Sequence, residues 1–447
     1  MKTARKIGYA AGDIGISISY FTVGFFFLYY LTDIVGMEPY LAGLAFFVGK
    51  LWDGINDPLM GILCDRTRSR FGRKRVFVLF GAIPFALSFI LLWMIPAGVA
   101  VWVQFILAVL AMTLYATAYT VVVVPYMALV PVLSDDYDER TQITGLRASL
   151  STLGTILGGS AALLLSSFAD EGTGLRLITM LFGIFSLACL LIAAWSVRGL
   201  ERESPADAVR MEYSWIRYLD ILKDRNVLVL MTVKLLGAVA TGSLSAALPY
   251  FAEHVLGDSG MGTYGLAVYV AVSAVAIPVW NRLSRVYDKR RLLLVGNGLT
   301  ASVLLFMGFF LGPDMAGTFF AACVVLGLAM SSFLLIPYSL VPDLVEVYES
   351  RTGIRHESVF FGLWITVHQL GVSISGLLLG FALGLFGYDG SAVIQSPGIL
   401  RAVRIGFGIL PGIFFLLTAL VLQVYGISRE VYLQARRSLS TVKERSS

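Results

Sequence analysis

Pro125-Tyr126-Met127-Ala128-Leu129-Val130-Pro131 leads on to Tyr137, Arg140 and Thr141. About 211 residues later, Pro337-Tyr338-Ser339-Leu340-Val341-Pro342 leads on to Tyr348, Arg351 and Thr352. The same residue types in the same order mark an internal duplication. A second pair of segments agrees, because Arg66, Lys74 and Arg75 return at a shift of 216 as Arg282, Arg290 and Arg291. What lies between these landmarks is overwhelmingly apolar, so the repeated unit is a bundle of apolar helices.

Composition says where such a bundle lives. The 447 residues are 57% hydrophobic and 14% charged, against about 25% charged in soluble domains, and the mean hydropathy is +0.80. No globular core is large enough to hide that excess. A cytosolic enzyme, a nucleic-acid-binding domain and a disordered linker protein are excluded, and the net charge of +5 does not revive nucleic acid as a partner. A bilayer core of about 30 Å needs roughly 20 apolar residues per helix. Twelve segments meet that need, near 7–32, 40–64, 76–96, 100–131, 141–168, 175–198, 227–256, 262–282, 291–312, 316–345, 356–386 and 402–427. The runs are continuous rather than alternating, which excludes a β-barrel. The first is too long for a cleaved signal peptide and is read as a span. Cys64, Cys189 and Cys323 stand apart in apolar runs and read as buried thiols.

Lys and Arg gather in the connections after spans two, six and eight and in the C-terminal tail, which puts both termini in the cytoplasm. The expected order is a six-helix bundle over 1–198, a cytoplasmic linker over 199–226, a second six-helix bundle over 227–427 and a tail over 428–447. A parallel repeat of six spans is the build of a major facilitator transporter, whose substrate site is expected near the midplane between the halves. The fold class is therefore an all-α membrane protein with twelve transmembrane helices, and monomer is that fold's default.

A charge in the hydrocarbon needs a partner or a task. Span two holds Lys50, Asp53, Asn56 and Asp57 just before Pro58. Helical spacing puts Asp53, Asn56 and Asp57 on one face, with Lys50 a turn earlier. Two carboxylates this close repel unless a proton or a cation sits between them. Oxygen ligands suit a hard cation rather than zinc or copper. A sodium site, proton coupling through the same pair and a structural Lys50–Asp53 salt bridge all remain open from the residues alone. Pro58 frees a backbone carbonyl beside the carboxylates. Asp13, Arg147, Lys234 and His368 are further polar groups inside apolar runs, with Arg147 expected either to neutralise an acidic residue of the same half or to touch substrate and His368 read as a packing residue. Tyr20 belongs to an aromatic series in span one that supplies candidate cavity walls. Asp65, Arg66 and Arg73 follow span two where a carboxylate facing guanidinium groups can latch and release. No phosphate-cradling loop and no hydrolase constellation is present, so an enzyme and ATP-driven transport are not expected and no cofactor is implied.

Tyr29-Tyr30-Leu31-Thr32-Asp33, Trp52-Asp53-Gly54-Ile55-Asn56-Asp57-Pro58 and Asp65-Arg66-Thr67-Arg68-Ser69-Arg70 together resemble the glycoside–pentoside–hexuronide:cation symporter family, which includes the melibiose permease. The resemblance runs along almost the whole chain. It implies a cation, commonly sodium, held by Asp53, Asn56, Asp57 and Thr120, and obligate coupling to a small-molecule substrate in an alternating-access cycle. The sugar side departs from the family pattern. Its acidic residue in span one falls on Ser17, its second carboxylate on Val123, a tryptophan on Met127 and a lysine on Gln369, while Arg147 stands for the span-five arginine. The candidate substrate residues are thus Ser17, Tyr20, Val124, Met127, Arg147 and Gln369. A glycoside follows from the family. A less polar, lysolipid-like solute follows from the lost carboxylates, and a non-transporting sensor on the same fold is the alternative outside transport. The expected location is multi-pass in the cytoplasmic membrane.

Overall fold

The computed structural model describes residues 3–133, 137–165, 168, 170–200, 221–352, 357–390, 392 and 395–446. Most of the expected linker, 201–220, lies outside the described residues, as does the side chain of Asp65. Twelve long helices carry the described chain: α1 Thr3–Ile34, α2 Pro39–Arg66, α3 Arg75–Leu91, α4 Val101–Met127, α5 Tyr137–Gly159 (continued by Ala161–Leu165), α6 Glu171–Ser196, α7 Arg225–His254, α8 Ser259–Val286, α9 Lys289–Phe310, α10 Ala316–Thr352, α11 Glu357–Leu385 and α12 Pro397–Leu422. A thirteenth, α13, spans Arg429–Ser446. Ten of these are long and apolar enough to cross a membrane. The other two of the twelve fall short for plain reasons. Helix α2 carries Lys50, Asp53 and Asp57 in its middle, and α3 is apolar but only 17 residues long. The twelve match the expected spans in order. Large apolar side chains stay exposed along them, including Leu385, Val275 and Trp195, as lipid-facing surfaces require.

By packing, the residues form two compact units. Unit 1 comprises Met1–Arg210, Ser245–Leu266 and Ser373–Val403; unit 2 comprises Met211–Leu244, Ala267–Val372 and Arg404–Ser447. In unit 1, α1 packs on α5 and α6, α2 on α4, and α3 on both α4 and α6. Small residues permit this closeness. A methyl group on Gly154 of α5 would stand 2.5 Å from the Ile14 carbonyl oxygen and 2.8 Å from the Ser17 Cβ. In unit 2, α9 packs on α10 and α12, and α13 lies along α10.

The basic loops tie helix ends together. Lys74 Nζ donates to the Ala128 carbonyl at the end of α4, at 2.6 Å, and Arg75 Nε donates to the Ala194 carbonyl near the end of α6, at 2.6 Å. Both cations meet the unsatisfied carbonyls and negative dipole end of a helix C-terminus. Unit 2 makes related contacts: Lys289 Nζ donates to the Ser339 carbonyl inside α10 at 3.1 Å, and Arg290 donates to the Gln423 carbonyl after α12. By contact, therefore, Lys74 and Arg75 correspond to Lys289 and Arg290. The sequence pairing with Arg290 and Arg291 was one residue out of register, because a run of basic residues aligns equally well at either step.

Candidate cation site and its surroundings

Helices α2 and α4 bring four side chains of unit 1 together. Asp53 and Asp57 are one turn apart on α2, and Thr120 faces both from α4. The Thr120 Oγ1 is 2.7 Å from Asp57 Oδ1 and 3.4 Å from Asp53 Oδ1. Lys50 Nζ, at 3.2 Å, binds the other oxygen of Asp53 and sits 4.7 Å above the Tyr20 ring. Lys50, Asp53 and Thr120 are fully buried. Asn56, on the same face, has a buried amide nitrogen with no hydrogen-bond partner among the described residues. Amide nitrogen and oxygen exchange places by a simple flip, so this side chain is able to turn a carbonyl toward an incoming cation. Pro58 lies inside the continuous α2. Its missing N–H leaves the Gly54 carbonyl without its helical donor. Among the described residues no group of three or more His, Cys, Asp or Glu is gathered to hold a metal. Carboxylate, hydroxyl, amide and carbonyl oxygens remain, which is a hard-cation donor set and a poor one for zinc or copper.

Residues 8–429 match the family described as MFS/sugar transport protein. The chain belongs to that family. It is a multi-pass membrane transporter of the major facilitator superfamily, not an enzyme. Among its relatives are the inner membrane symporter YicJ of Escherichia coli (28% identical, covering 99% of this chain and 95% of YicJ) and the putative glycoside/cation symporter YagG of the same organism (25%, 95% and 92%). Another is the sodium-dependent lysophosphatidylcholine symporter 1 of Gallus gallus (25%, 100% and 90%). A crystal structure of a bacterial homologue of the human lysosomal transporter Spinster shares the fold, with a TM-score of 0.69 at 14% identity over 98% of both chains.

In this transporter the remaining candidates are dispersed. Ser17 of α1 pairs with Ser151 of α5, oxygen to oxygen at 2.7 Å. Tyr20 packs against Phe21 and Tyr119 beside Lys50. Val123 is buried, Val124 is half-buried and Met127 is exposed at the end of α4. Gln369 is buried in the other unit, on α11. Arg147 does not stand open. Its Nε and Nη2 bind the two oxygens of Asp13 at 2.8 and 3.1 Å, and its guanidinium lies 4.7 Å from the Tyr126 ring and 5.7 Å from Tyr9. Tyr126 Oη also donates to Asp13, at 2.6 Å. Of the latch residues, Arg66 is exposed at the end of α2 and Arg73 lies in the following loop, while the side chain of Asp65 is outside the described residues.

A further polar cluster of unit 1 gathers at the end of α1. Thr32 pairs with Tyr250 at 2.7 Å, and Tyr388 Oη donates to Asp33 at 2.5 Å while meeting His254 Nε2 at 2.9 Å. Asp33 was visible only as a letter in a motif. Besides its neighbour Thr32, its partner Tyr388 comes from more than three hundred residues away, and no local signal marks it.

Proposed function

We propose that this chain is a sodium-coupled symporter of a small organic solute, with Asp53, Asp57, Thr120 and Asn56 holding the coupling ion. One observation carries the reading: Thr120, on a different helix, comes within hydrogen-bond distance of both span-two carboxylates. A structural salt bridge would need only Lys50 and Asp53. It gives no reason for a second carboxylate and a hydroxyl to converge beside it. Two adjacent carboxylates repel, and a cation between them relieves that repulsion. Cation binding then favours the conformation that accepts solute, and the two ligands shift the equilibrium by their differential affinity for its states. The names of the glycoside/cation and sodium-dependent relatives support the same coupling.

For the solute, a glycoside is the reading supported by the family. A lysolipid-like solute is the second, supported by the scarcity of open polar groups at the candidate positions: Ser17 is bonded to Ser151, Arg147 is bonded to Asp13, and Val123, Val124 and Met127 are apolar. Sugar competition against lysolipid-induced stabilisation separates the two. The coupling itself is tested by thermal melting of purified protein in a sodium titration against choline. Wild type is expected to show saturable stabilisation that is lost in Asp57→Asn and in Asp53→Asn. Sodium stabilisation surviving in both variants would overturn the assignment, and a pH response lost in the variants without a sodium response would move the site to proton coupling.

A further inference from the structure

Lys234 lies in α7, nine residues after Arg225, or about 14 Å along the helix axis at 1.5 Å per residue. That depth is near the middle of a bilayer core. The side chain is almost completely buried, and its Nζ sits 4.8 Å from the Trp364 ring and 5.2 Å from the Tyr338 ring. These two rings pack edge to face, 5.6 Å apart. All three residues belong to unit 2. Among the described residues no carboxylate comes within ion-pair distance of Lys234. The acidic groups of this unit that do pair are engaged elsewhere, Asp343 with Lys289 and Asp224 with Arg351. The Trp364 indole N–H is also buried without an acceptor among the described residues. The cage therefore holds a cation with no anionic partner among the described residues. Cation–π contacts return only part of what it costs to desolvate an ammonium group.

The internal repeat says what is missing. Gly154 of α5 closes on the Ile14 carbonyl and Ser17 Cβ of α1, and Gly371 of α11 closes on the Leu235 carbonyl and Ala238 Cβ of α7. Matching these contacts sets Ile14 against Leu235 and Ser17 against Ala238, so Asp13 corresponds to Lys234. The same match sets Gly145-Leu146-Arg147 against Gly362-Leu363-Trp364. Tyr126 corresponds to Tyr338. The first copy of the site holds a complete ion pair under a tyrosine. The second, among the described residues, holds a cation under a tyrosine with no anion.

We infer that Lys234, Trp364 and Tyr338 form a receptor for an acid group, a carboxylate or a phosphate ester, on the transported solute. The ammonium supplies both the charge and the hydrogen-bond donors, the Trp364 ring walls the cage, and Tyr338, 51% exposed, is its open side. The inference rests on the chain's being a solute carrier and adds that the solute is an anion. The acid group could come from a sugar acid or from a lysophospholipid, and the experiment keeps the two apart.

Purified wild type, Lys234→Gln and Lys234→Arg are melted in sodium with two matched pairs of probes, D-glucuronate against D-glucose and oleoyl-lysophosphatidate against mono-oleoylglycerol. In at least one pair the acid is expected to bind wild type on the order of ten-fold more tightly than its neutral partner. That preference should vanish in Lys234→Gln and largely return in Lys234→Arg. The responding pair identifies the source of the acid group. Equal binding of acid and neutral partner in both pairs, or a preference that persists in Lys234→Gln, overturns the inference and leaves the cage as cation–π packing only. If Lys234→Gln does not fold, Tyr338→Leu replaces it. Removing the exposed wall should weaken the acid several-fold and leave the neutral partner unchanged, and an unchanged acid affinity counts against the receptor. Sodium stabilisation without solute is recorded in the same samples. Its retention in Lys234→Gln and loss in Asp57→Asn separates a failure of the anion receptor from a failure of the cation site.

Discussion

Tyr126 and Tyr338 stand at the same step of the internal repeat, and each carries a cation over its ring, at 4.7 Å for Arg147 and 5.2 Å for Lys234. Their surroundings differ by one charge. Arg147 is held in a fork by Asp13, and Tyr126 is sealed. Among the described residues Lys234 meets only aromatic faces, and Tyr338 stays open. A charge at the centre of a membrane helix costs at least about 2.5–3.5 kcal/mol, while a cation–π contact returns about 0.5–2 kcal/mol. The ion pair settles that balance within the protein. The aromatic cage leaves a deficit that an external anion can meet. One copy of the motif is closed by its own ion pair, and the other is the site we propose for an external anion.

The largest expected effect tests the scaffold half of that contrast. Asp13→Asn strands a buried guanidinium and should lower stability by about 3–5 kcal/mol, read as a fall in melting temperature or in resistance to denaturant. Lys234→Met strands nothing and should change stability by less than about 1 kcal/mol, in either direction. Equal losses in the two variants would erase the distinction. Next in size, Trp364→Glu offers Lys234 a carboxylate of its own. It should reduce any preference for the acid probes by about ten-fold or more, since one internal pair is worth roughly that in competition. The two loops that tie helix ends give a smaller comparison. Arg75→Ala removes a buried, charge-assisted bond to the Ala194 carbonyl and should cost about 2 kcal/mol, whereas Arg290→Ala, acting nearer the surface, should cost less in the same melting assay. Smallest is Ser17→Ala, which breaks the bond to Ser151 and should cost about 1 kcal/mol or less. If Ser17→Ala alters solute affinity far more than stability, that hydroxyl belongs to the solute site after all.

The sequence alone determined the membrane class, the twelve helices and their duplication, because apolar run length and repeated residue order are local properties that survive without coordinates. It also marked Asp53, Asn56 and Asp57, whose shared face follows from helical spacing within one segment. Tertiary structure decided everything that depends on which helices touch. The family resemblance implied Thr120, but only packing shows it meeting the two aspartates across more than sixty residues of chain, and Asp13 meeting Arg147 across 134. The one-residue shift that pairs Lys74 with Lys289 appears only in which carbonyl each ammonium reaches. Lys234 shows the limit most clearly. In sequence it is a lone lysine in an apolar run, and its meaning depends on the rings it faces, which are set by packing between helices far apart in the chain.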